Sequence, residues 1–244
     1  MTQDDRRIGT LLSRREAVTL LGVSGFAVLT GCASAQGGDA RASAIPACVV
    51  RPEQTEGPYF VEELLNRSDI RSDPASGIVR PGVPLQLTAN VSRIAGADCT
   101  PLPGAQVDVW HCDALGVYSD VTDPGFSTVG QKFLRGYQVT DAAGAARFLT
   151  VYPGWYEGRT VHIHFKIRTD PQAARGYDFT SQMYFDDALT DMVFTRAPYV
   201  AKGQRTTRNT DDRIFRRGGS QLLLAPKATG EGYAATFAIG LQVG

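Results

Sequence analysis

The sequence predicts an all-β fold, an antiparallel β-sandwich core with long loops. Three observations carry this. Short segments alternate apolar and polar residues, the period of a half-buried strand. Turn residues separate them, with 13 prolines and 26 glycines in 244 residues. No segment shows the apolar spacing of a long amphipathic helix. Seven or more short strands between turns argue for two packed antiparallel layers.

The elements follow in order. Leu85, Leu87, Ala89 and Val91 alternate with Gln86, Thr88, Asn90 and Ser92, the clearest strand in the chain. Pro101-Leu102-Pro103-Gly104 breaks the pattern, and Val107 to Trp110 resumes it. Tyr137 to Thr140, the turn Asp141-Ala142-Ala143-Gly144, and Ala146 to Val151 read as a hairpin. Further strands are expected at Val161 to Ile167, Gln182 to Phe185, Leu222 to Leu224 and Thr236 to Val243. Asp186 to Gly219, charged and poor in apolar runs, is expected to be a long excursion with a short helix or loops.

The N-terminus reads as an address. Ser13-Arg14-Arg15 precedes an apolar run from Ala17 to Leu29, too short to span a bilayer comfortably and typical of twin-arginine export. Leu29-Thr30-Gly31-Cys32 resembles a lipobox that makes Cys32 the lipidated first residue, while Ala33-Ser34-Ala35 offers a rival cleavage site. The expected organisation is a signal over 1–32, a flexible Ala/Gly/Ser tether over 33–45, and one folded catalytic domain over 46–244, placing the protein in the periplasm or cell envelope. With Cys32 removed, Cys48, Cys99 and Cys112 remain, which predicts one disulfide and one spare thiol in an oxidising compartment, with the pairing open. Twenty-five basic and 25 acidic residues balance, so nothing draws the chain to nucleic acid or to an anionic membrane.

The chemistry gathers around Pro153 to Phe165. On a strand, Val161, Ile163, Phe165 and Ile167 point one way, and His162 and His164 share the other face with Cα atoms roughly 6.6 Å apart, close enough to meet on one metal. Surface histidines are the bland alternative. The chain has three histidines, and two lie on this face. His111, within Trp110-His111-Cys112-Asp113, reads as structural. Carboxylates near the pair are few: Glu157 precedes it and Asp170 follows. Tyr118 and Tyr156 are the other anionic candidates, since a hard trivalent cation can hold a phenol as phenolate. Taken singly, either tyrosine is as readily a half-buried ring with a satisfied hydroxyl.

Taken together, three blocks resemble the intradiol ring-cleavage dioxygenases of the catechol and protocatechuate type. They are Gln54 to Phe60; Pro103-Gly104-Ala105 through Trp110 to Tyr118; and Phe133 to Gly136 through Pro153 to Tyr156 and His162 to Phe165, followed by Thr180 to Phe185. The resemblance implies that Tyr118, Tyr156, His162 and His164 hold Fe(III). It further implies that Tyr156 gives way and takes a substrate proton, that Arg159 and Gln182 stabilise charge on the substrate, and that Pro58 and Tyr59 wall the substrate pocket, Arg159 also facing substrate. A catechol-type diol and O2 are the implied partners, and a cis,cis-muconate-type diacid the product. The helical dimerisation segment of the catechol-specific branch has no counterpart, so the core is expected closer to the protocatechuate branch, with an oligomer left open. The competing reading is a non-catalytic transthyretin-like (prealbumin-like) binding module, suggested by the strands from Val83 to Trp110. A Zn(II) or Fe(II) enzyme using the two histidines and a carboxylate is a second.

Overall fold

Alternation in the Leu85 segment becomes a twelve-residue strand, β1 (Pro84–Ala95), whose Leu85, Leu87, Ala89 and Val91 are buried while the intervening residues are not. The computed structural model describes residues 48–170 and 176–243; the twin-arginine segment, Cys32 and the tether lie outside the described residues. The remaining strands are β2 (Asp98–Pro101), β3 (Gln106–Trp110), β4 (Thr122–Asp123), β5 (Phe126–Ser127), β6 (Arg135–Val139), β7 (Ala145–Val151), β8 (His162–Arg168), β9 (Asp178–Tyr184), β10 (Lys227–Thr229) and β11 (Gly232–Leu241).

Two sheets form the sandwich. In the first, β1 is central: β7 pairs along its first half, β2 along its end, and β11 along its other edge, with β10 outside. The second runs β6-β3-β8-β9, antiparallel throughout. The expectation of antiparallel pairing is corrected at one ladder, since β1 and β11 run parallel, Leu85 opposite Tyr233 through Arg93 opposite Leu241. A parallel pair needs a long crossover, and here most of the chain lies between the two strands. Between the sheets, Leu85, Leu87 and Val91 from β1 and Phe237 from β11 meet Val107, Ile163, Phe165 and Ile167 in one core. Fully burying a side chain of this kind contributes roughly 1.5–3 kcal/mol.

The expected hairpin is corrected: β6 pairs with β3 and β7 with β1, so the turn after β6 forms where read but carries the chain from one sheet to the other, alternation fixing the strands and not their partners. Gly144 has φ of +73° and donates its N–H to the Asp141 carbonyl, while the Asp141 carboxylate accepts from the Ala143 and Ala145 amides. The excursion after β9 carries a short helix, α1 (Asp187–Phe194), capped by the Asp186 side chain, which accepts from the Ala188 and Leu189 amides. Leu222 to Leu224 is not a strand. Gly219–Leu222 forms a 3-10 turn, and Leu223 makes an isolated bridge to Tyr184. Its apolar character reflects Leu222 and Leu224 entering the core from irregular chain. Cys48 pairs with Cys99, and Cys112 is the buried free thiol among the described residues.

Candidate metal centre

Strand register alone brings four polar side chains to one face of the second sheet. His162 lies opposite Tyr184 and His164 opposite Gln182 across β9, while Trp110 of β3 lies on the other side of His164. Ile163, Phe165 and Ile167 point into the sandwich, so the histidines point out of it. That outward face is not solvent: His162 and His164 are 2% and 1% exposed. Two segments cover it. Gln54 to Phe60 crosses β9 through the Gln54 amide bonded to the Thr180 carbonyl, and the chain from Trp110 to Tyr118 folds back over the sheet edge. Gly57, at φ +74°, lies against His164, where an added Cβ would stand 3.2 Å from the imidazole Cε1.

The donor atoms converge. The Nε2 atoms of His162 and His164 are 3.0 Å apart, and the Tyr156 hydroxyl is 3.2 Å from the first of them. The Tyr118 ring packs edge-on to Tyr156 at 5.6 Å and lies 6.3 Å from the His164 ring. Its hydroxyl is buried without a hydrogen-bond partner of normal geometry. The Nδ1 of His162 faces the Thr160 carbonyl at 2.6 Å. A carbonyl only accepts, so Nδ1 carries the proton and Nε2 presents a lone pair to the cluster. That one lone pair faces Tyr156, His164 and, at 3.5 Å, the Arg159 guanidinium.

Burial sets the protonation states. It pushes the Tyr118 phenol well above its ordinary range and raises Tyr156, and charge on Tyr156 or Cys112 would oppose ionisation of Tyr118 further. It drives His162 down to about 3 and His164 well below its usual value, helped by the Arg159 cation. Without a cation the four groups are therefore neutral, crowded and short of acceptors. A trivalent cation fits this donor set, because it draws on both imidazole lone pairs and favours the phenolates that burial opposes. No group of three or more His, Cys, Asp or Glu converges among the described residues, which leaves a carboxylate-based Zn(II) or Fe(II) site without its ligands.

Around the centre the side chains interlock. Arg159 donates from Nε to Asp212 at 2.8 Å and from Nη2 to the Gln182 Oε1 at 2.5 Å. The Gln182 amide donates to the Thr55 carbonyl, and the Tyr184 hydroxyl, with one proton, lies 2.6 Å from the Gln54 Oε1 and 2.9 Å from the Gln182 Oε1. Asp212 is the residue that sequence reasoning missed. Its carboxylate, fully buried, also accepts the Thr160, Ile214 and Phe215 amides, and Arg159 holds it below the usual range against the cost of burial. The charge-rich stretch Asp211-Asp212-Arg213 gave no sign that one carboxylate turns inward. His111 is structural: its ring nitrogens meet the Cys112 carbonyl and the Thr150 hydroxyl, and it takes no part in the cluster.

A cleft of about 190 Å³ reaches the two phenols. Tyr59 lines it, stacked on Tyr118 at 4.5 Å with its hydroxyl bonded to Asp123. Pro58 does not join this lining: it is exposed on the turn that directs Gly57 toward His164.

Residues 55–210 match the family model described as "Dioxygenase", a segment holding all four donors. The beta chain of protocatechuate 3,4-dioxygenase from Burkholderia cepacia is 31% identical over 162 residues, covering 62% of this chain and 66% of that protein. The chain spans no more than 66% of the length of the curated relatives it matches. Among solved structures, an intradiol ring-cleavage dioxygenase from Tetranychus urticae superposes with a TM-score of 0.68 at 30% identity, covering 80% of this chain and 94% of that one. The dioxygenase domain of a carbohydrate-binding fusion from Streptomyces sp. SirexAA-E gives 0.55 at 30% identity, over 80% of this chain and all of that domain. With a family match over most of the folded part, the donor residues inside it, and a shared sandwich, the chain belongs to the intradiol ring-cleavage dioxygenase family.

Proposed function

We propose that this protein uses ferric iron and O2 to open the ring of a catechol-type diol between its hydroxyl-bearing carbons, giving a cis,cis-muconate-type diacid. One observation carries the reading: two imidazole nitrogens and two phenol hydroxyls gather at a buried point beside an aromatic-lined cleft. Tyr118, Tyr156, His162 and His164 would hold the metal. Ferric iron supplies Lewis acidity that draws electron density from a bound diolate, making the ring reactive toward O2.

The protein's own groups have distinct tasks. Tyr156 lines the cleft and is less buried than Tyr118, and its hydroxyl is bonded to His162 rather than to backbone, so as the phenolate it would be on the metal it is placed to accept a proton from an entering diol. Tyr118 is 1% exposed and boxed in by Tyr59 and Tyr156, which suits a permanent ligand. Arg159 carries a cation beside His162, where negative charge on the ring would be stabilised. Gln182 and Asp212 fix the direction of that guanidinium. The stacked pair Tyr59 and Tyr118, with Phe126 in the same lining, suits a flat aromatic guest.

The binding-module alternative leaves this convergence of donors without a role. The Cys48–Cys99 disulfide supports export to an oxidising compartment, and the Ser13-Arg14-Arg15 and Cys32 signals support a twin-arginine-exported lipoprotein with its catalytic domain over 46–244. The test is product identification by mass after iron-loaded protein meets a panel of catechols in air. The reading expects a ring-opened diacid carrying both atoms of O2, and quinones or unchanged substrate across the panel would refute it.

A further inference from the structure

The cleft that reaches the phenols is charged on one side only. Tyr59, Phe126 and the two phenols form its aromatic wall, and Asp123 and Glu157 supply its carboxylates; among the described residues no lysine or arginine side chain is in the lining. Asp123 is carried by the small β4-β5 hairpin and is held in place. Its Oδ2 accepts from the Tyr59 hydroxyl at 2.6 Å and its Oδ1 from the Gly125 amide at 3.0 Å. Those two bonds keep the carboxyl below its ordinary range. Glu157 is exposed on the turn before β8. The Tyr118 ring lines the same cleft, and its hydroxyl, buried and unpartnered, is one of the donors at the inner end where a diol would be held. Two cations lie nearby: the Lys202 ammonium stands against Gly116 of the lining, donating to the Leu115 carbonyl and lying over the Trp155 ring, and Arg159 is paired with Asp212.

Building on the ring-cleavage reading, we propose that this site selects catechols by the charge of their substituent, favouring an ammonium-bearing side chain over a neutral one and repelling a ring carboxylate, with Asp123 and Glu157 setting the preference. The substituent of a diol held at the buried donors extends along the cleft toward these two carboxylates. A carboxylate there meets two like charges with only the Lys202 ammonium at Gly116 to offset them, whereas an ammonium meets two acceptors. Likeness to the protocatechuate branch in the core thus does not carry acceptance of a ring carboxylate into this cleft.

The test is anaerobic calorimetry on the iron-loaded full chain, which measures binding apart from turnover, with dopamine, 4-methylcatechol and 3,4-dihydroxybenzoate. Dissociation constants are expected to rise in that order, by on the order of 3- to 10-fold per step in charge, as for partly exposed ion pairs. Raised salt should compress the series. Glu157→Gln, at an exposed position that leaves the fold intact, should narrow it. Adding Asp123→Asn, which keeps acceptor and donor atoms toward Tyr59 and Gly125, should bring the three ligands to within about 2-fold, since only the charge term of the pairs is removed. The proposal is overturned if the carboxylated diol binds as tightly as 4-methylcatechol, if the order survives in the double variant, or if none of the three binds. Binding in the expected order with no ring-opened product in air sinks the ring-cleavage reading and leaves the charge rule standing.

Discussion

Asp212→Ala removes the anion that holds Arg159 in place. The lost carboxylate accepts four hydrogen bonds, from the Arg159 Nε at 2.8 Å and from the Thr160, Ile214 and Phe215 amides at 2.9, 2.6 and 3.1 Å. Breaking a buried ion pair by deleting one partner costs about 3–5 kcal/mol. The Arg159 side chain is 16% exposed and keeps its bond to Gln182, which favours the lower end, while the stranded Thr160 amide adds to it. A net loss of about 3–4 kcal/mol corresponds to a fall in Tm of roughly 6–16 °C for a domain of this size. Thermal unfolding of the iron-loaded variant reads the stability, and steady-state turnover reads the position of Arg159. Iron content should change little, because no metal donor is touched, whereas kcat should fall. The contribution also has a direction in pH. The Asp212 carboxyl is held below its ordinary 3.8, so the pair is at full strength above that range and is lost as acid protonates the folded carboxyl. An Asp212→Ala protein with Tm within about 2 °C of wild type and unchanged kcat would refute the reasoning, since a broken buried pair cannot be that cheap.

Other substitutions separate the groups further. Tyr118→Phe and His162→Ala should strip or cripple the iron, whereas Arg159→Ala should keep iron and colour and lose turnover; equal activity in all three would refute the role assignment. His111, lowered by burial to about 4, stays neutral in the fold while its unfolded counterpart protonates near 6.5. Stability is therefore full above about pH 6.5 and falls by roughly 3 kcal/mol as pH drops to about 4, and denaturant titrations of His111→Gln should show a flatter profile over that window. Replacing Cys48 and Cys99 together by Ala opens a loop with a sequence separation of 51. The chain-entropy model puts that loss at up to about 4 kcal/mol, seen as a lower denaturation midpoint, and a midpoint unchanged from wild type would contradict it.

How much of this was readable beforehand depended on whether the signal was local. The His162 and His164 pair, its strand and the core residues behind it follow from a period of two, as do β1, β3 and β7. Tyr118 and Tyr156 became legible as a pair with the histidines only through the family resemblance, because nothing in the local sequence distinguishes them from Tyr152 or Tyr199, buried rings that bond to Thr190 and to the Tyr152 carbonyl. Asp212 was invisible, since its partner lies 53 residues away and its neighbours are charged. The parallel pairing of β1 with β11 was equally hidden, because alternation tells which face a residue takes and not which strand lies beside it. The Leu222 run misled because an apolar stretch reports burial whether or not the backbone is extended. Pro58 shared a motif with Tyr59, but one turn residue separates inward from outward.

The most direct measurement is the visible spectrum of the purified protein beside its iron content. Phenolates from Tyr118 and Tyr156 on a ferric ion give a phenolate-to-iron charge-transfer band, so a preparation with one iron per chain is expected to be red to burgundy, and catechol added without oxygen should shift the band. An iron-replete but colourless sample would contradict the account, because the iron would then be held by something other than these two phenols.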